Sequence, residues 1–384
     1  MDRRQFLTAG LGTALTGAIA GCTGSSETEN EDATRTTART ETATEATTRN
    51  PTTTTTTRTT STTTRTPDPP SHLFGLQGAT GVSDVSGQYK RTFQQSAHGV
   101  RTEFTTRIPK NLFQYFDGRS RNTSYGAYVS DLYDDKYIQN IANAFKDYRK
   151  EEEWSSRQMV DLAIAFVQGL KYTSDVNEPY NEYPKYPVET LKDRGGDCED
   201  TAILLASILR KLGFGVVLLE IPSKKHMALG LKGEESIPGT YVKVDGTRYY
   251  YVETTGEGWR VGQAPDGYTN VRTEIRSVDD HPSLTFAWVT KPGGPGKVQV
   301  DFAIFNAGMA PSRNARIKAR VRSTDSKDPI GGAETDPAVV PPRESVERSV
   351  TLDPPANRTL RLRFGVTIQG EIHDIAETDW QNPA

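Results

Sequence analysis

Apolar residues are spaced in three different ways along this chain. From Thr23 to about Pro70 they are nearly absent. Threonine dominates, with an unbroken run from Thr52 to Thr57 and a closing Thr66-Pro67-Asp68-Pro69-Pro70. Too little apolar surface is present to offset the entropy of ordering a backbone, so residues 23–70 are expected to form a disordered stalk. Beyond it the period becomes helical. Ile138, Ile141 and Phe145 share a face of a helix over 134–145, with aspartates in its first turn. A second helix starts at Ser155 or Ser156, carries Met159, Leu162, Ala163, Phe166 and Val167 on one stripe, and stops at Gly169. Weak alternation from Tyr89 to Ile108 predicts an early strand or two.

Tyr172 to Pro187 is rich in Tyr, Pro, Asn and Glu and predicts no regular structure. A broad stripe of Leu204, Leu205, Ile208, Leu209 and Leu212 then predicts a buried helix ending at Gly213. Strands are expected at 214–221, 227–231, 240–244 and 249–253, with Asp245-Gly246 a two-residue hairpin signal. This is an α+β layout for residues 71–280. From Leu284 the period is two. Segments 298–305, 316–322, 346–352 and 360–366 alternate between Pro- and Gly-rich turns, which predicts an immunoglobulin-like β-sandwich over 284–384.

The extreme N-terminus adds an address. Arg3-Arg4-Gln5-Phe6-Leu7 heads a short apolar run that closes on Ile19-Ala20-Gly21-Cys22. An arginine pair, a short hydrophobic core and a small-residue cleavage site over 1–22 read as a twin-arginine export signal. The last four residues resemble a lipobox, with Cys22 as the lipidated first residue of the mature protein. The run is short and rich in Gly, Ala and Thr, which disfavours a membrane-spanning anchor. Lipidation places the protein on the outer face of the membrane, with the stalk holding the rest away. The chain of 384 residues carries a net charge of −3, so it shows no basic footprint for nucleic acid. Asn122-Thr123-Ser124 and Asn357-Arg358-Thr359 fit the N-glycosylation pattern, a weak signal in itself.

Of the two cysteines, only Cys198 remains as a free thiol once Cys22 is lipidated. It opens the buried helix, in Gly195-Gly196-Asp197-Cys198-Glu199-Asp200-Thr201. Unpaired N–H groups at a helix start favour thiolate over thiol. His226 in one strand and Glu253 in another follow it. Nucleophile, base and orienter in that order are the minimal set for cysteine acyl transfer. Each residue also has a bland reading, as an inert core cysteine or a hydrogen-bonded core histidine. The spacing matches no zinc pattern, and no metal or other cofactor is expected. Glu199 and Asp200 oppose a thiolate. Helical spacing turns Glu199 about 100° from Cys198, so a thiolate–imidazolium pair with His226 is the expected resting state.

Gly196-Asp197-Cys198-Glu199-Asp200-Thr201-Ala202 with its Leu-rich helix resembles the transglutaminase-like superfamily of papain-type cysteine enzymes. So do Tyr186-Pro187-Val188-Glu189-Thr190-Leu191, His226-Met227-Ala228-Leu229-Gly230 and Tyr249-Tyr250-Tyr251-Val252-Glu253-Thr254-Thr255 with Gly258-Trp259. The likeness, to secreted archaeal and bacterial members, covers about 134–265. It implies Cys198 as nucleophile, His226 as general base, Glu253 as the acid that orients the ring, and Tyr172 as an oxyanion donor beside the Cys198 N–H. Many members carry Asp where this chain has Glu253, and Asp245 is the rival acid. A protein or peptide amide at the cell surface is the implied substrate. Hydrolysis is favoured over cross-linking because no lysine-binding pocket shows in the sequence. A binding or adhesion protein built on the same scaffold is the alternative. If Cys22 is the anchor, Cys22→Ser releases the protein from the membrane fraction or blocks its processing. A processed Cys22→Ser protein that stays membrane-bound overturns lipidation.

Overall fold

The computed structural model describes residues 87–174, 183–278 and 281–381, all within one compact unit. The expected export signal, Cys22 and the stalk lie outside them. No helix among the described residues is long and apolar enough to cross a membrane.

The described chain opens with a hairpin of β1 (Gln88–Ala97) and β2 (Val100–Pro109). His98 and Gly99 turn it, with φ of 52° and 81°, the positive pair that a tight two-residue hairpin requires. Four helices follow: α1 (Lys110–Asp117), α2 (Tyr125–Ser130), α3 (Asp135–Glu151) and α4 (Ser156–Gln168). Ser155 caps α4 in a reciprocal box with Gln158, which sets its start. A two-residue strand β3 (Lys171–Tyr172) precedes α5 (Pro187–Asp193), and β4 (Gly195–Gly196) leads into α6 (Cys198–Leu212). The strands β5 (Val216–Ile221), β6 (His226–Lys232), β7 (Tyr241–Val244), β8 (Thr247–Val252) and β9 (Glu274–Ser277) form one antiparallel sheet in the order β7-β8-β6-β5-β9.

Helix α6 is the centre of this half. Every residue from Cys198 to Leu209 is buried, and the helix packs against α2, α3, α4, α5 and the β5–β6 face. It ends where Gly213 adopts φ 93°, a left-handed position that suits glycine.

The C-terminal half is built from strands with period two. β10 (Leu284–Pro292), β11 (Val298–Asn306) and β15 (Ser345–Leu352) form one antiparallel sheet. β12 (Ser312–Ser323), β13 (Gly331–Glu334), β14 (Ala338–Val340), β16 (Leu360–Ile368) and β17 (Glu371–Glu377) form the other. Strand β12 shows the rule: Ala315, Ile317, Ala319 and Val321 point inward while Arg316, Lys318, Arg320 and Arg322 alternate with them. Phe286, Trp288, Phe302, Phe364 and Val366 from both sheets share one core.

A buried ion pair rivets the two halves together. Arg119 donates to Asp131 Oδ2 at 2.6 Å, to Ser283 Oγ at 3.1 Å and to the Leu284 carbonyl at 3.2 Å. Ser283 Oγ also donates to Asp131, and the Leu132 N–H donates to the Ala307 carbonyl. Arg119→Ala strands the Asp131 charge in the interior and is expected to cost about 3–5 kcal/mol. Urea denaturation checks it, and an unchanged midpoint counts against the rivet.

Candidate active site

The start of α6 is fixed from behind by a close backbone approach. β3 lies parallel to β4, with Lys171 opposite Gly195 and Tyr172 opposite Gly196. A Cβ on Gly195 would stand 2.4 Å from the Lys171 carbonyl oxygen, and one on Gly196 would stand 2.4 Å from Asp200 Cβ. Only glycine fits at either position. Asp197 then caps α6 in a reciprocal box with Asp200. Asp200 Oδ1 accepts the Lys185 N–H at 2.6 Å, and Lys185 Nζ lies 3.4 Å from Oδ2. Cys198 therefore sits at the first helical position with its backbone held on both sides.

The thiol is not poised as helix geometry alone suggested. Cys198 Sγ–H donates to Glu199 Oε2 at 3.2 Å, and the Met227 N–H reaches the sulfur from β6. Among the described residues, no hydrogen bond joins Sγ to the His226 ring. Burial, and then the Glu199 carboxylate, push the thiol well above its ordinary range and outweigh the Met227 hydrogen bond. In place of the expected thiolate–imidazolium pair, the sulfur is hydrogen-bonded to Glu199, in surroundings that favour the thiol over the thiolate. The helical angle described where Cα–Cβ bonds point. It could not foresee that Glu199, itself buried, would fold back onto the S–H beside it. Burial lifts the Glu199 carboxyl to about 7, helped by Asp200 and opposed by the thiol's hydrogen bond.

His226 and Glu253 meet across neighbouring strands. β6 pairs with β8 so that Leu229 faces Val252, and the chain continues from β8 into Glu253 opposite the start of β6. Glu253 Oε2 lies 3.0 Å from His226 Nε2 and accepts the Tyr251 hydroxyl at 2.8 Å. Oε1 accepts the N–H groups of Thr254 and Thr255 at 3.0 Å each and the Thr255 hydroxyl at 2.7 Å. Burial acts to raise this carboxyl, but the hydrogen bond and charge of His226, with the Thr255 donors, bring it down to about 2. Engagement of Nε2 leaves Nδ1 as the ring nitrogen open to other work. Tyr268 packs edge-on against the ring, 5.2 Å between centroids. Asp245 sits in the β7–β8 turn at φ 48°, so Glu253 is the acid that touches His226.

Gln168, the last residue of α4, had no distinct sequence signal. Buried at the end of an apolar stripe, it donates from Nε2 to the Glu253 carbonyl at 2.8 Å and the Trp259 carbonyl at 3.1 Å. Its Oε1 accepts the Gly258 N–H at 3.2 Å. One amide thus clamps the segment that follows β8. Thr201 Oγ1 and Thr254 Oγ1, 2.9 Å apart, tie the same segment to α6.

The other residues singled out from the sequence are scattered. Tyr172 is 58 % exposed and stands opposite Gly196, two residues before Cys198. Asn122 is half-buried, its Oδ1 accepting the Ser124 N–H, whereas Asn357 is exposed at φ 61°. Cys22 lies outside the described residues. Among the described residues no group of three or more His, Cys, Asp or Glu is arranged to hold a metal.

No protein-family model matches the chain, and no curated protein does. Among solved structures, it is similar to red sea bream transglutaminase at 10% identity and TM-score 0.20, over 81% of this chain and 65% of that one. It is also similar to DesR, a β-glucosidase from Streptomyces venezuelae in complex with D-glucose, at 10% identity and TM-score 0.18. That match covers 26% of this chain and 15% of the other. The chain spans less than two thirds of both proteins' length, and neither likeness is strong enough to establish a shared fold.

The buried Glu253 carboxylate makes stability depend on acid. A carboxyl lowered from its ordinary 4.5 to about 2 in the native state stabilises the fold fully above pH 4.5, and that contribution is lost as pH falls through about 2. The shift corresponds to about 3 kcal/mol. Wild type is therefore expected to exceed Glu253→Gln in stability near neutrality, with the gap closing between pH 5 and 2. A gap that stays constant with pH contradicts the assignment.

Proposed function

We propose that this chain is an exported, lipid-anchored cysteine acyl-transfer enzyme of the transglutaminase-like kind, acting on amide bonds of proteins or peptides. The observation that carries the reading is the His226 Nε2–Glu253 contact of 3.0 Å on strands beside the start of α6. It turns Nδ1 into the working nitrogen of the ring. Cys198 attacks the carbonyl carbon, His226 gives the leaving amine its proton, and water resolves the thioester. Glu253, ionised across the physiological range, orients the ring without bonding to substrate. The Cys198 N–H at the helix start, with Tyr172, supplies the oxyanion contacts.

Hydrolysis is the favoured outcome. Lys224 and Lys225, both exposed, immediately precede His226 and repel a cationic lysine acceptor, whereas water is always present. We read residues 71–280 as the enzyme and 284–384 as an immunoglobulin-like β-sandwich that serves as a spacer. The export signal and the lipid on Cys22 place the enzyme at the outer membrane face, a reading that rests on the sequence.

One observation favours a second reading. The thiol's hydrogen bond runs to Glu199 rather than His226, and burial opposes its ionisation, as befits a scaffold that binds without catalysis. Activity decides between the two. The purified protein is incubated with glutamine-containing and other amide peptides, and ammonia or amine release is followed. Cys198→Ala is expected to abolish release, His226→Ala to lower it by about 10²–10⁴-fold, and Glu253→Gln to lower it less. Release that persists undiminished in Cys198→Ala overturns the enzyme reading, and its absence from wild type favours the binding protein.

A further inference from the structure

Cys198 and Glu199 form a buried pair that the roles of His226 and Glu253 leave unexplained. The S–H donates to Glu199 Oε2 at 3.2 Å, and both residues are buried with little exposure to water. Around them stand Asp197 and Asp200 on the same turn of α6, Tyr251 on β8, and the N–H of Met227 on β6, next in sequence to His226. Lys185 is engaged by Asp200 at 3.4 Å, and His226 by Glu253. Losing the thiol proton to solvent would leave two negative charges 3.2 Å apart in a buried place. Moving it onto Glu199 keeps one negative charge on the pair throughout, and the hydrogen bond survives with its direction reversed.

We propose that Glu199 is a further catalytic residue of the acyl transfer, taking the Cys198 proton as the sulfur attacks. The attack on an amide rests on the enzyme reading above; the proton exchange itself does not. The S–H bond breaks and an O–H bond forms at Oε2, while the electron pair left on sulfur makes the C–S bond. The leaving nitrogen takes its proton from the His226 imidazolium. In hydrolysis the neutral ring removes a proton from water, the hydroxide displaces sulfur, and Glu199 returns its proton to Sγ. Both groups end as they began. Burial that brings the Glu199 carboxyl to about 7 suits an acceptor working near neutral pH.

The test follows the proton without needing turnover. Alkylation of Cys198 by iodoacetamide is measured against pH in the whole protein, with the adduct read on the Cys198 peptide by mass spectrometry. A pair that holds one proton over a range of pH has a constant thiolate fraction there. The wild-type rate is therefore expected to rise through about pH 7 and level off, consistent with the Glu199 value. The step disappears in Glu199→Gln and remains in His226→Ala. Should Glu199→Gln not fold, Glu199→Asp keeps a step with a displaced midpoint. A wild type without the step, a step that survives Glu199→Gln, one lost in His226→Ala, or an unmoved midpoint in Glu199→Asp each overturns the proposal. Where amide release is detected, Glu199→Gln lowers kcat by about a hundredfold or more, and undiminished kcat also overturns it. A wild type that shows the step and releases nothing fails the enzyme reading alone.

Discussion

The geometry of Cys198 depends on one buried carboxylate, that of Asp200. It is wholly shielded from solvent and closes the reciprocal cap with Asp197, so it satisfies donors that the first turn of a helix otherwise leaves unmet. The same side chain takes the Lys185 backbone N–H and faces the Lys185 ammonium, which ties the loop before α5 to the start of α6. Its Cβ lies so near Gly196 that the strand before it admits no side chain. A helix start in open solvent can fray at little cost. This one is buried with its ends accounted for, so Cys198 has little freedom to choose its neighbours. The sulfur meets what the cap and the strand β6 put beside it.

The second half of the site is held by hydrogen bonds from far along the chain. Gln168 belongs to α4, 85 residues before Glu253, and its amide grips the backbone on either side of the turn that follows β8. Without that grip the segment leaves a regular strand with the buried Glu253 carbonyl and the half-buried Trp259 carbonyl short of a donor. Two independent anchors, the Asp200 cap and the Gln168 clamp, therefore position α6 and the Glu253 segment, and the Thr201–Thr254 contact joins them. The cap thus holds Cys198 at the start of α6, and the clamp holds the Glu253–His226 pair on the neighbouring strands.

Legibility in the sequence followed the range of the interactions. The Asp245-Gly246 turn, the end of α6 at Gly213, the Ser155 cap and the alternation in β12 are all decided within a few residues, and each is where pattern reading expects it. Helices α1, α2 and α5 have eight residues or fewer, too short to display a period, and pattern alone passes over them. Pro187 at the first position of α5 and Glu189 at its third are a helix start in hindsight. They stand against a Tyr- and Pro-rich run of which 175–182 lie outside the described residues. Glu253 beside His226 was readable from motif order. Gln168 was not, since nothing local marks a glutamine whose partners lie 85 and 91 residues away. The pairing of Glu199 with the thiol was also hidden, because it depends on burial rather than on the angle between successive helical positions.

Two glutamates in this site, both buried, are driven in opposite directions, and the count of donors explains why. Glu253 accepts from His226, Tyr251, Thr254 N–H, and both N–H and hydroxyl of Thr255, so its charge is solvated by protein and it stays ionised far below neutrality. Glu199 has the weak S–H donor, its own backbone N–H and Asp197 against burial and the like charge of Asp200, so burial prevails and its proton affinity rises to the neutral range. An acid that never changes its protonation at working pH is suited to orient a ring. An acid balanced near neutrality beside a protonated thiol is suited to exchange a proton. Environments that drive two carboxyls apart are how one fold assigns them different tasks. Here five donors outweigh burial at Glu253, whereas at Glu199 the thiol, the backbone N–H of Glu199 and Asp197 do not.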